Sequence, residues 1–171
     1  EFDASGAQVL ITDHGYAPEH DQSATSGQYC VQFMTFKREG CEPVRKWWEA
    51  RCIEWCFARF EDGKFGDQKY LDDWPERFGP LVHVLQQQAL AQAPWNASLY
   101  PFGQAVFFHF HGLRITANRC FDLGSYPLPG PLLDYVYEPY LKDLRVAIAA
   151  LAQIGFQARP QAANPGIFQR L

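Results

Sequence analysis

The run His109-Phe110-His111-Gly112 carries the most chemistry that residue type and spacing assign in this chain. Side chains alternate along a strand, so His109 and His111 share one face and Phe108 and Phe110 the other. Two imidazoles side by side at a strand end can share a divalent metal, and Gly112 would let a ligand approach the backbone closely. Either face could be the buried one, so packed histidines are the competing reading. Arg114 can pair with a phosphate or carboxylate. A second polar run is Phe65-Gly66-Asp67-Gln68-Lys69-Tyr70-Leu71-Asp72-Asp73-Trp74-Pro75. Gly66 breaks the preceding element, Asp67 caps a short helix with Tyr70, Leu71 and Trp74 at helical spacing, and Pro75 ends it. The run reads either as polar groups held at an opening or as a capped helix with an aromatic staple. A third run, Ala93-Pro94-Trp95-Asn96, is irregular: Pro94 lacks a donor and biases Ala93 to an extended shape.

Other chemistries find little support. The sequence has no Gly-x-Ser-x-Gly elbow, no phosphate loop ending in Gly-Lys and no dinucleotide glycine fingerprint. Asp72 and Asp73 are adjacent on a helix and point in different directions, so they form no acid–base pair. At 171 residues and 47% hydrophobic, the chain is long and apolar enough for one domain with a sizeable core. Its net charge of −4 offers no long-range attraction to nucleic acid or anionic lipid. No apolar run approaches the roughly 20 residues of a membrane helix, and Glu1-Phe2-Asp3 does not start a signal peptide. The cysteines (30, 41, 52, 56 and 120) are odd in number and form no Cys-x-x-Cys, which reads as reduced thiols in a cytoplasmic protein.

These motifs need elements to hold them. Residues 7–12 and 28–36 read as buried strands, 81–85 as a third and 105–110 as a fourth. Residues 42–60 form the clearest helix, with an aromatic stripe (Trp47, Trp48, Trp55, Phe60) that at this spacing is core rather than a sugar platform. Residues 86–92 are ambiguous between helix and loop, and 122–131 are a Pro- and Gly-rich connection. A helix follows over 132–155, split at Pro139. The composition gives one α/β domain over 1–155, a small mixed sheet with packed helices, and a loosely ordered tail over 156–171.

Three ordered runs, Phe65 to Leu71, Ala93 to Asn96 and Phe107 to Arg114, resemble the C-terminal part of a GT-A nucleotide-diphospho-sugar transferase. The likeness is to bacterial glycosyltransferases of polysaccharide and lipopolysaccharide clusters, and it runs from about Val9 to Tyr140. Thr25-Ser26-Gly27-Gln28-Tyr29 resembles the family's segment beside the donor sugar. The resemblance implies that His109 is a ligand of a divalent metal (manganese or magnesium) carrying the donor diphosphate, and that Arg114 replaces a phosphate-binding lysine one register away. It implies that Asp67 and Gln68 lie beside the reaction centre, with the Trp95 indole on a sugar face and Asn96 on a hydroxyl. Gly112 lies in the same substrate-binding run.

The family's Asp-x-Asp metal motif occurs nowhere in the chain. By the family's order it belongs upstream of residue 1, with other metal ligands and most of the base pocket. The chain alone is therefore expected to be inactive, and to pair with a second copy through exposed strands. The partners implied are a nucleotide-sugar donor and a glycan or lipid-linked acceptor. The first rival is a non-catalytic module binding carbohydrate or protein. The second is a small hydrolase with a metal on His109 and His111, for which Asp13, His14 and Asp67 are the remaining donors.

Overall fold

In the computed structural model, residues 1–116, 120–156 and 159–161 are described. Most of the expected tail over 156–171 falls outside them. The chain forms two compact units, Glu1–Ala91 and a second that begins at Gln92.

The first unit is built on a mixed three-stranded sheet in the order β2-β1-β3. Strand β1 (Val9–Asp13) is central, antiparallel to β2 (Tyr29–Phe36) and parallel to β3 (Val82–Val84). The apolar run Val9-Leu10-Ile11 is buried on both faces, as a central strand covered on both sides must be. The β1–β2 register shifts between Leu10 and Thr12, so β2 carries a bulge opposite Ile11. Helix α1 (Glu42–Glu54) turns Val44 into the core and packs Trp47 and Trp48 beside it. The fully buried Trp74 is met edge-on by Trp48 at 5.7 Å and Phe78 at 6.1 Å, a favoured aromatic geometry. The expected core role of Trp47 and Trp48 is therefore seen.

Two expected boundaries are corrected. The helix expected over 42–60 stops at Glu54, and Trp55 turns extended at φ −159°, ψ 123°. Contacts from later in the chain favour this end. The Tyr70 hydroxyl donates to Trp55 O at 2.8 Å, Trp55 Nε1 donates to Glu61 Oε1 at 3.1 Å, and Gly66 N–H donates to Phe57 O at 3.0 Å. Pro75 does not end the short helix. A 3-10 turn (Lys69–Asp73) runs into helix α2 (Trp74–Phe78), where Pro75 occupies the first turn and its missing N–H costs nothing. No side chain caps the turn, because the N-cap position belongs to Gln68 rather than Asp67.

The second unit has short strands and one long helix. The fourth expected strand shrinks to β5 (Phe107–Phe108), placed in a two-stranded ladder with β4 (Ala91–Gln92) rather than in the main sheet. Strands β6 (Arg114–Ile115) and β7 (Phe121–Asp122) form an antiparallel ladder. Helix α3 (Glu138–Gln153) follows a π-helical turn over Leu133–Tyr137. Pro139 therefore opens α3 within a continuous helical run instead of breaking it. The core gathers Leu123, Leu132, Tyr137 and Leu141 under Phe108 and Phe110.

Tyr137 is fully buried, and its hydroxyl has no partner among the described residues. Burial alone pushes its pKa up. Tyr137→Phe should thus stabilise the chain by about 1 kcal/mol, since it removes a desolvated, unpaired hydroxyl at constant shape. A thermal melt should show this as a rise of about 2–4 °C; a fall would mean that the hydroxyl has an important partner.

Candidate functional site

In the first unit, polar groups gather where β1 ends. Its parallel partner β3 makes this the carboxyl edge of the sheet, the usual ligand-binding edge of an open α/β fold. Asp13 closes the strand: Oδ1 accepts Gly15 N–H at 2.7 Å and Oδ2 accepts Gln28 Nε2 at 3.1 Å. His14 is buried, stacks on Tyr16 at 4.6 Å, and places Nδ1 3.1 Å from Gln28 O. Burial pushes His14 below the ordinary imidazole range, against smaller opposing effects of Gln28 O, Asp13 and Asp72.

The Thr25–Tyr29 stretch and the Asp67–Gln68 run meet here, although some forty residues separate them. Gln68 Nε2 donates to Ser26 O at 2.9 Å, and Lys69 Nζ donates to Ser23 O at 2.9 Å. Asp72 accepts Gln28 N–H on Oδ1 and pairs with Lys69 Nζ on Oδ2, both at 2.8 Å. Gly27 sits between them at φ 105°, where a Cβ would come within 3.0 Å of Asp72 Oδ1 and 3.4 Å of Lys69 Cα. Only glycine suits that position. Asp67 is anchored through its carbonyl, which accepts Trp48 Nε1 at 2.9 Å.

In the second unit, Trp95, His109 and His111 come together, joined by Tyr126. Trp95 is 3% exposed, with ring centroids 5.5 Å from His109, 5.2 Å from His111 and 6.4 Å from Tyr126. The two imidazoles lie 5.7 Å apart. The expected reason for their proximity is corrected: β5 ends at Phe108, and His111 N–H donates to His109 O at 2.8 Å in a tight turn. That turn sends Phe108 and Phe110 to Tyr137 and leaves the histidines on Trp95. Asn96, 1% exposed, accepts Ala93 N–H on Oδ1 at 2.8 Å, so its carboxamide oxygen shapes the loop that carries Trp95. Gly112, at φ 79°, makes its close approach to Gly124: a Cβ would lie 3.3 Å from Gly124 Cα. Arg114 in β6 pairs in register with Asp122, whose Oδ1 accepts Gly124 N–H at 3.0 Å.

Both imidazoles are pushed below the ordinary range. Desolvation is the first cause at each, followed by His111 at His109 and by Arg114 at His111. Neutral imidazoles can ligate metal, but no third His, Cys, Asp or Glu joins them among the described residues. Among the described residues the donor set therefore does not amount to a complete metal centre.

The three depressed histidines set a pH dependence. An imidazole held below the unfolded value of 6.5 binds fewer protons folded than unfolded as acid is added. Stability should be level above neutrality and fall as pH drops through 6.5 toward the folded values. Urea midpoints taken from about pH 8 to about pH 5 check this; a midpoint that rises on acidification would contradict the burial of His14.

Sequence reasoning missed Tyr126, Gly124 and the Asp72–Lys69 pair. The last had a usable signal, since opposite charges three apart on a helical turn are neighbours. Tyr126 had none, because it lies in the Pro- and Gly-rich connection.

No family model matches the chain, and no solved structure matches it. The chain is similar to the uncharacterized protein YfnD of Bacillus subtilis strain 168, 27% identical over 157 residues, covering 81% of this chain and 50% of YfnD. It is also similar to the uncharacterized protein YfnF of the same strain, 32% identical over 104 residues, covering 53% of this chain and 34% of YfnF. The chain thus spans about half the length of YfnD and a third of that of YfnF.

Proposed function

We propose that the chain is the acceptor-side part of a GT-A-type glycosyltransferase that moves a sugar from a nucleotide-sugar donor to a glycan or lipid-linked acceptor. The observation that carries the reading is the joining of Thr25–Tyr29 to the Asp67–Gln68 run through Gln68, Lys69 and Asp72. Two stretches that the resemblance sets beside the donor sugar and beside the reaction centre are joined by hydrogen bonds where β1 ends, which supports the reading. The grouping of Trp95 with His109 adds support.

In this reading Asp67 and Gln68 hold sugar hydroxyls, while the Trp95 indole, 3% exposed, packs on His109 and His111 and holds them in place instead of lying on a sugar face. The Asn96 oxygen keeps the Trp95 loop in shape. Departure of a nucleoside diphosphate builds negative charge, which Arg114 offsets. Manganese or magnesium would carry the diphosphate, with His109 as this chain's ligand and the remaining ligands supplied from outside it. The protein works in the cytoplasm; among the described residues, no helix is long and apolar enough to cross a membrane. A second copy pairs along an outer strand of the sheet, which light scattering at high concentration tests.

A second reading, a carbohydrate-binding module without catalysis, is favoured by the missing Asp-x-Asp and by the lack of a third metal donor beside the two histidines among the described residues. Calorimetric titration of the chain with uridine diphosphate, with and without manganese, separates the two. Metal-dependent heat supports the transferase site. Heat with an oligosaccharide alone, and none with the nucleotide, supports the binding module instead.

A further inference from the structure

The aromatic stripe read over 42–60 divides where helix α1 ends. Trp47 and Trp48 pack on the core, whereas Phe57 and Phe60, past Glu54, are 52% and 50% exposed. Exposed aromatics grouped on one loop mark a binding surface in a way that a lone one does not. The loop that carries them is closed at its base: Gly66 N–H donates to Phe57 O at 3.0 Å, and the Tyr70 hydroxyl holds Trp55 O. At its tip Glu61 and Lys64 exchange backbone bonds at 3.0 and 2.9 Å. Asp62 and Gly63 lie between them at φ 50° and 74°, as a two-residue hairpin turn requires. Side chains fix the rest. Glu61 accepts Trp55 Nε1 on Oε1 at 3.1 Å and Arg59 Nε on Oε2 at 2.7 Å. The Arg59 guanidinium lies 4.7 Å from the Phe57 ring centre and 5.9 Å from that of Trp55, and Lys64 Nζ stands over Trp55 at 5.4 Å. Trp55 and Phe57 meet edge-on at 5.5 Å. The loop is therefore organised before any ligand arrives, which lowers the cost of binding, and it runs straight into Asp67 and Gln68.

We propose that the loop over 55–66 is a binding site for an uncharged oligosaccharide, with Phe57 and Phe60 as the faces on which its sugar rings stack. A sugar ring has apolar C–H faces and a rim of hydroxyls that both donate and accept. The loop offers the match to each. The exposed phenyl rings supply apolar faces; Arg59 spends Nε on Glu61 and keeps its terminal N–H groups to donate, and the exposed Asp62 carboxylate accepts. Charge selects the class of ligand. Arg59 and Lys64 are balanced within the loop by Glu61 and Asp62, so a phosphate, a sulfated glycan or an anionic lipid head gains no net attraction. A neutral, hydroxyl-rich chain meets donors and acceptors together. Binding needs no assumption about catalysis; only the identification of this sugar chain with a transferase acceptor rests on the proposed function.

The test applies the chain to an array of defined neutral, sialylated and sulfated oligosaccharides, and then titrates the best neutral member by calorimetry. The wild type should bind neutral members in preference to acidic ones. Phe57→Ala and Phe60→Ala should each weaken binding severalfold while melting close to the wild type, because both rings are half exposed. Phe57→Tyr keeps a stacking face and should retain binding. Ile53→Ala removes an exposed apolar side chain within α1, outside the loop, and should bind as the wild type does. No binding to any neutral member, a preference for acidic members, or unchanged binding in both phenylalanine-to-alanine variants overturns the site. So does an equal loss in Ile53→Ala, which would mark a general apolar contact. Uridine diphosphate with manganese reports separately: no heat there, with oligosaccharide binding intact, rejects the transferase reading and leaves this site in place.

Discussion

Trp74→Ala should cost about 3–5 kcal/mol, the range for deleting a large buried aromatic. Trp74 is fully buried between Trp48 and Phe78, at the junction of the 3-10 turn and α2. The cavity would be walled by rings that stay in place, so little collapse offsets the lost contacts. Trp74→Phe should cost much less, because Trp74 Nε1 is buried without a partner among the described residues and its removal recovers part of the loss. Urea denaturation of both variants checks the pair. A loss under about 1 kcal/mol for the alanine variant would place Trp74 outside a packed core.

Trp95→Ala is expected to cost about as much, roughly 3–5 kcal/mol, and to leave a second signature. The indole lies against both His109 and His111 and contributes to the desolvation that lowers their pKa values. With the indole gone, water reaches the rings and both pKa values should climb toward 6.5. An NMR titration of the imidazoles reads this independently of stability. Unchanged titration of both rings would mean that other groups desolvate them.

Elements whose residues carry a clear period or an uninterrupted apolar run are legible from the residues alone. The stretch 7–12 reads as a buried strand and becomes β1, and 28–36 becomes β2. Val44, Trp47 and Trp48 of the aromatic stripe read as core and pack as core, whereas Phe60, read with them, lies past the helix end and is 50% exposed. Local hydrophobic patterning is enough there, because burial of those faces outweighs any rival conformation. The resemblance to transferases placed Asp67, Gln68, Trp95 and His109 in candidate sites, but it could not show how they are held.

Where elements stop and which polar groups meet depends on contacts between distant parts of the chain. Nothing between residues 42 and 60 ends the helix at Glu54; the Tyr70 hydroxyl and Gly66 N–H, from beyond the turn, supply the competing bonds. His109 and His111 are neighbours because a tight turn and the Trp95 ring bring them together, not because a strand alternates. Gly112 reads in sequence as room for a ligand, yet its close approach is to Gly124. Asn96 reads as a hydroxyl contact and spends its oxygen on Ala93. The bonds of Gln68 to Ser26, Gln28 to Asp72 and Tyr70 to Trp55 join residues far apart in the chain, so these partners leave no local pattern, whereas apolar periodicity is written residue by residue.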